Sequence, residues 1–406
     1  MILSLEYRHS PARYLASRTV TATKAGSRLA GMVAGNMSPL RLINLAAPVP
    51  PDEGWTRVAP RLSGICGSDL GLLMGRSSPY FSSLSSTPFV PGHEVVGETL
   101  DELPDLPAGS RVVLDPVLSC EPRAIEACQW CASNRESRCD HVTTGAISPG
   151  VQTGSCAETG GGWSRQFVAH RSQLHPVPDS LDDERAVLVE PLACAVHAAR
   201  RVPVPTGASV VVIGAGTVGL MTLLALREIA PTSPIHVVAK HGHQQERALA
   251  LGATAVHEPS RAARALRRST KARMHSPEWG AEFLLGGVDV VFECTGGAAG
   301  LDTALRLTRA GGTVVVSGMP SGNVDLAPLW FRELQLVGAY ASDSGGPDEV
   351  ARRSDFDEAI ELAGAAPLDG WVEPPYPLRR WREALSHAVD AGKLGSVKIA
   401  FAPGKD

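Results

Sequence analysis

The stretch PFVPGHEVVGE, residues 88–98, sets an imidazole beside a carboxylate, His93 and Glu94, behind a Pro91–Gly92 turn. Neighbours on a strand point to opposite faces, but at a turn both can reach one point. A metal ion is one occupant of such a point; a surface His–Glu pair is the plainer reading. A second cluster is denser. CEPRAIEACQWCASNRESRC places Cys120, Cys128, Cys131 and Cys139 at spacings of seven, two and seven residues. Four thiolates satisfy a tetrahedral structural zinc, with Zn–S bonds of about 2.3 Å. Cys156, in GSCAETGGG, stands in reserve should Cys120 lie too far away. Cys66 in GICGSDL and Glu190 in VLVEPLA complete a dispersed set with His93 and Glu94. Three protein ligands and one open position make a catalytic zinc site, although each residue alone is more often structural.

A third feature binds phosphate. VVVIGAGTVGL supplies Gly214, Gly216 and Gly219 between an apolar run and a helix opened by Thr217 and Val218. The first glycine permits a tight turn, and the second lets the backbone approach a pyrophosphate. The third lets helix and strand pack, while the helix N-terminus offers free N–H groups. An acidic residue about 20 positions on would bind the adenosine ribose. At that point the chain has Ala239, Lys240 and His241. Lys240 attracts a 2′-phosphate, so NADP is favoured over NAD. The alternative is that Lys240 is a solvated charge and that backbone or Glu246 holds the ribose.

These residues need a scaffold of two domains, since 406 residues exceed one ordinary core. Hydrophobic content of 44% and charged content of 20% are those of a soluble globular chain. A net charge of −4 gives no reason to expect nucleic acid or an anionic membrane as partner. No apolar run is long enough to span a bilayer. Eight clustered cysteines in so long a chain suggest metal binding in a reducing, cytoplasmic setting.

Residues 38–119 read as short strands broken by proline and glycine, and 120–162 as a long loop region. ERAVLVEPLACAVHAARR reads as a linking helix. From residue 209, six apolar strands alternate with helices, the pattern of a doubly wound parallel sheet. A basic, helix-leaning insertion interrupts it at 261–287. The tail ends in SVKIAF, a strand that can return to the first domain. The expected division is 1–198 with the cysteine loop at 120–140, then 199–344 for the dinucleotide, then 345–406 returning. Residues 1–30, rich in Arg and Ser, faintly resemble an organellar transit peptide. The preferred reading makes RYLASRTV (13–20) the first strand and leaves 1–8 loose.

Taken in order, GICGSDL, PGHE, the cysteine cluster, EPLA, GAGTVG, ECTGG, AGGTVVVSG and LWFREL resemble the zinc-dependent medium-chain dehydrogenase/reductase family, in its polyol and threonine dehydrogenase-like branch. The resemblance runs from about residue 38 to 400. It implies an α/β chain with a mainly-β, GroES-like catalytic domain and a Rossmann domain carrying a parallel six-stranded sheet, with the active site in the cleft. It implies two zinc ions per chain and hydride transfer between a secondary alcohol or polyol and NAD(P). It also implies a homodimer or homotetramer.

By the same resemblance Cys66 and His93 match catalytic zinc ligands, and Glu94 a ligand or close neighbour. Glu190 matches either the third ligand or a water-mediated contact. Ser68 matches the hydroxyl that meets the substrate oxygen, Asp69 the carboxylate that orients His93, and Lys398 a base that touches the cofactor phosphates. Two departures stand out. Ile125 occupies the family's first structural cysteine position, so Cys120 must reach in by a bulge. Gly71 stands where many members carry a relay histidine, so solvent, a ribose hydroxyl or Glu190 must complete the proton path. A zinc-free quinone or enoyl reductase of the same fold, or a non-enzymatic dinucleotide sensor, are the alternatives; neither needs the dispersed Cys66, His93, Glu94 and Glu190 set.

Overall fold

A computed structural model describes residues 1–21, 30–345 and 353–405. The chain forms two compact units, Met1–Glu190 with Ser342–Asp406, and Pro191–Ala341.

The first unit is built on an antiparallel sheet. Its central strand, Trp55–Gly64, pairs with Val95–Thr99, Phe167–His170 and the C-terminal Ala400–Phe401. Arg111–Leu114 and Leu174–Pro176 extend it beyond Val95–Thr99. Val58, Val95, Val112, Leu114, Phe167 and Leu174 bury one core. Residues 120–162 contain only short 3-10 turns, at Cys131–Ser133 and Glu136–Arg138.

The N-terminal segment reverses the expectation. Ile2–Tyr7, expected to be loose, is a strand antiparallel to Leu40–Leu45. Leu3, Leu5 and Tyr7 alternate into the core with Ala34, Trp163 and Phe401, which fits the two-residue period of a strand. The segment is tied in further by Leu5 N to Trp163 O at 2.9 Å and Tyr7 N to Phe89 O at 2.8 Å. RYLASRTV lies instead in a helix, Pro11–Thr21. Pro11 sits at its first position, where a missing N–H costs nothing. Tertiary contacts also hold this helix: the Tyr14 hydroxyl donates to Ser77 O, and Thr21 Oγ1 to Met74 O at 3.3 Å.

The second unit carries a six-stranded parallel sheet. Its spatial order is Ala255–His257, Ile235–Val238, Val210–Ile213, Val288–Glu293, Thr308–Val316 and Gln335–Gly338. The order reverses between Val210–Ile213 and Val288–Glu293, and such a switch point is where a crevice opens at the strand ends. Val210, Val211, Val212, Val291 and Phe292 are fully buried, so both faces are covered, as parallel strands require. The 261–287 insertion is helical only in its first part, Ala262–Thr270. Its second part is a hairpin, Arg273–His275 with Phe283–Leu285, where helix periodicity stops at a run with Pro277 and Gly280.

Candidate active site and metal centres

Cys66 caps the helix Gly67–Leu73, two residues after the central strand ends. Asp69, on the first turn of that helix, accepts the Cys66 backbone N–H at 3.0 Å. Its other oxygen lies 3.6 Å from His93 Nδ1. His93 and Glu94 stand immediately before the strand Val95–Thr99. The turn therefore delivers both to the end of the central strand. Donor atoms of Cys66, His93 and Glu94 all lie within 4.8 Å of one another. His93, Glu94 and Asp69 are buried. Ser68 is half-buried between Cys66 and Asp69 in sequence.

A buried carboxylate needs compensation, and Lys398 supplies it. Its ammonium pairs directly with Glu94 Oε2, both side chains being 2% exposed. Gly64 makes the room: a Cβ there would collide with Glu94 Oε2 and approach Lys398 Cε to 2.7 Å. The resemblance gave Lys398 to the cofactor phosphates; its burial and its pairing with Glu94 make it the counter-ion of this carboxylate. Glu190, on the first turn of Val189–Arg200 and also buried, stands outside the set that converges within 4.8 Å.

Burial pulls the His93 imidazolium down, but the Asp69 carboxylate, the Cys66 sulfur and Glu190 outweigh it and raise its pKa well above the ordinary value. Burial also raises the Asp69 carboxyl, against His93 and the Cys66 N–H. Lys398 is likewise raised: burial lowers it, and Glu94, Cys66 and Glu190 prevail. The pocket thus gathers more negative than positive groups and favours a cation. A sulfur, an imidazole and a carboxylate are the donor types zinc takes. Since Asp69 stands on the Nδ1 side, Nε2 is the ring atom left for a metal.

Cys120, Cys128, Cys131 and Cys139 also converge within 4.8 Å, with Cys120 Sγ 3.6 Å from Cys139 Sγ. All eight cysteines are free. Burial would raise the Cys128 thiol, but N–H groups of Cys131, Asp140 and Trp130 lower it overall. Cys131 and Cys139 are raised, first by burial. Such crowded sulfurs resist ionising together unless a cation sits among them. Cys156 is not the reserve ligand: it is buried apart, its Sγ 3.4 Å from Ser148 O and 3.5 Å from Glu158 Oε2.

Two residues here escaped the sequence reading. Arg123 is fully buried, its guanidinium donating to the carbonyls of Leu118, Thr144, Ile147, Ser148 and Gly150 at 2.7–3.3 Å. His141 Nδ1 lies 3.3 Å from Cys120 Sγ. Its position two residues after Cys139 was the available signal.

In the second unit the glycine turn joins the strand Val210–Ile213 to the helix Thr217–Ile229. Gly214 has φ +97°, which a side chain rarely adopts. A Cβ on Gly219 would strike the carbonyl of Gly214, whereas Gly216 faces open space. Tight turn, close packing and free approach are thus divided among the three as the motif requires. Lys240 is exposed just past the end of Ile235–Val238, following buried Ala239. Across the switch point, Glu293 is buried and accepts N–H groups of Thr295 and Gly296 at 2.8 and 3.1 Å, fixing the loop that meets Gly214.

Family comparison agrees with this geometry. Residues 52–179 match the alcohol dehydrogenase GroES-like domain, and 217–364 the zinc-binding dehydrogenase domain. L-idonate 5-dehydrogenase of Vitis vinifera is 30% identical over 70% of this chain and 72% of its own. The chain belongs to the zinc-binding alcohol dehydrogenase family. This dehydrogenase is an oxidoreductase acting on CH–OH donors. Sorbitol dehydrogenase 1 of Saccharomyces cerevisiae is 28% identical over 78% of this chain and 82% of its own. A zinc-binding dehydrogenase of Sinorhizobium meliloti, solved with NADP bound, is 27% identical and superposes with a TM-score of 0.68, covering 91% of this chain and 97% of that one. Among the described residues of this family member, no helix is long and apolar enough to cross a membrane.

Proposed function

We propose that the chain is a zinc-dependent alcohol dehydrogenase, transferring hydride reversibly between a secondary alcohol or polyol and NADP, with a catalytic zinc at Cys66, His93 and Glu94 and a structural zinc at the four cysteines. The observation that carries this reading is the convergence of Cys66, His93 and Glu94 with Asp69 behind His93. When bound, zinc supplies Lewis acidity that stabilises an alkoxide, and the nicotinamide accepts the hydride.

The chain's own residues do the rest. Asp69, its carboxylate 3.6 Å from His93 Nδ1, attracts that side of the ring and leaves Nε2 for the metal. Lys398 neutralises Glu94, so this carboxylate approaches a metal without placing an unpaired charge in the pocket. Ser68, on the first helical turn beside Cys66, takes the alcohol proton and passes it outward. Buried Gly71 has no side chain to receive it, so the path ends in solvent, a ribose hydroxyl or Glu190. Gly214, Gly216, Thr217, Val218 and Gly219 hold the pyrophosphate on helix N–H groups, and Lys240 meets the 2′-phosphate.

The names of the sorbitol and L-idonate dehydrogenases support a polyol substrate. A homodimer or homotetramer is supported by an edge strand, Gln335–Gly338, that leaves Leu336 exposed, with Trp330 81% and Phe331 69% exposed nearby in the chain. Clustered free thiols support a reducing, cytoplasmic setting. The test is a panel of secondary alcohols, polyols and amino alcohols assayed with both dinucleotides, beside metal analysis. Two zinc ions per chain and NADP-dependent oxidation of a polyol are expected; a metal-free chain without turnover sinks the reading.

A further inference from the structure

The sulfur that departs from the family spacing is also the one most tightly surrounded. Cys120 is 1% exposed. Its Sγ lies 3.3 Å from the backbone N of Cys128 and 3.3 Å from His141 Nδ1. The His141 backbone N–H in turn points at Cys139 Sγ, 3.4 Å away. His141 is half-buried and is not one of the converging four, and its ring meets one of their sulfurs.

What brings the two together is the excursion between Cys120 and Cys128. Arg123 N donates to Cys120 O at 3.1 Å, and Ala146 N to Arg123 O at 2.9 Å. The guanidinium spans from Leu118, two residues before Cys120, to Thr144, three after His141. One buried side chain therefore clamps both approaches to the pair. Four thiolates around one divalent ion leave an excess of negative charge, which donors must disperse where water is scarce. Burial pulls the Arg123 cation down, and Cys156, Cys139 and Cys120 oppose that.

We propose that His141 is a positioning residue of the tetrathiolate centre: its Nδ1–H donates to the Cys120 thiolate, holding the displaced sulfur on the metal, with Arg123 as the clamp that sets their spacing. This rests on the reading of the four cysteines as zinc ligands. The donor draws charge from the sulfur and resists its loss to a competing proton or chelator.

The test uses zinc-loaded protein and follows metal release to a chromogenic chelator. His141→Ala is expected to speed loss of one zinc about tenfold, leaving the other at the wild-type rate. His141→Asn, whose amide keeps a donor, is expected to restore most of the retention. In cobalt-loaded protein the sulfur-to-cobalt charge-transfer band should shift in His141→Ala and return toward wild type in His141→Asn. Equal release from the Ala and Asn variants overturns the proposal, as does wild-type release from His141→Ala. So does a metal-bound imidazole nitrogen at this centre by X-ray absorption. A wild-type protein without a four-sulfur cobalt signature overturns the cluster reading and the proposal together; that result appears before any variant is made, so the two failures are distinguishable.

Discussion

The ammonium of Lys398 and the carboxylate of Glu94 form an ion pair that water scarcely touches, each side chain being 2% exposed. Removing one partner leaves the other charged and buried. Lys398→Met should lower unfolding free energy by about 3–5 kcal/mol, read by denaturant titration. Adding Glu94→Gln should recover most of that loss. Equal stability of the single and double variants would show that the pair is not coupled.

His93→Ala removes the imidazole from the converging trio. Turnover should vanish, and metal content should fall by one ion per chain. Dinucleotide affinity should stay within about twofold, because Gly214, Gly216 and Gly219 belong to the other unit. Retained turnover with a secondary alcohol would defeat the catalytic assignment.

Lys240 is exposed and lies two residues beyond the strand Ile235–Val238, where the proposed function places the 2′-phosphate. Lys240→Ala should weaken NADP about tenfold while sparing NAD, the cost of one charge-assisted contact. Ala239→Asp should turn preference toward NAD by repelling the 2′-phosphate. Titration of both dinucleotides checks this; tighter NAD binding by the unaltered chain would refute it.

His175 stacks on Phe356 with ring centroids 4.6 Å apart. Burial lowers its pKa to about 4, against the pull of Asp357. The unfolded chain binds this proton below about pH 6.5, and the folded chain only near pH 4. Between those values the unfolded state holds more protons, so stability is full above pH 6.5 and falls as pH drops toward 4, by at most about 3 kcal/mol. His175→Leu should flatten that acid limb in melting temperatures measured across the window. An unchanged slope would remove His175 as its cause.

The parallel sheet was legible because Val210–Ile213, Ile235–Val238 and Val288–Glu293 are short apolar runs covered on both faces. The cysteine cluster and PGHE were legible because ligands must recur at short spacing or at a turn. The helix Pro11–Thr21 was not, since RYLASRTV mixes exposed and buried positions without a clear period and long-range bonds to Ser77 and Met74 help fix it. The pairing of Lys398 with Glu94 was hidden for a related reason: a lysine near a strand end looks exposed until its partner is located. Arg123 carries no pattern of its own, because its partners are backbone carbonyls, and the one mark of His141 is its place two residues after Cys139.

The two clusters of candidate metal ligands draw on the chain over different lengths. The four sulfurs fall between Cys120 and Cys139, so this cluster has all its members as soon as that stretch leaves the ribosome. Glu94 instead awaits a counter-ion roughly 300 residues downstream, a closure over long sequence separation. Ala400 meets Gly64 in the same sheet, so a strand made much later closes beside the end of the central strand. A nascent chain stalled before Lys398 would hold Cys66, His93 and Glu94 already made but not yet neutralised. Pairing of Glu94 thereby waits until the chain has been made through Lys398.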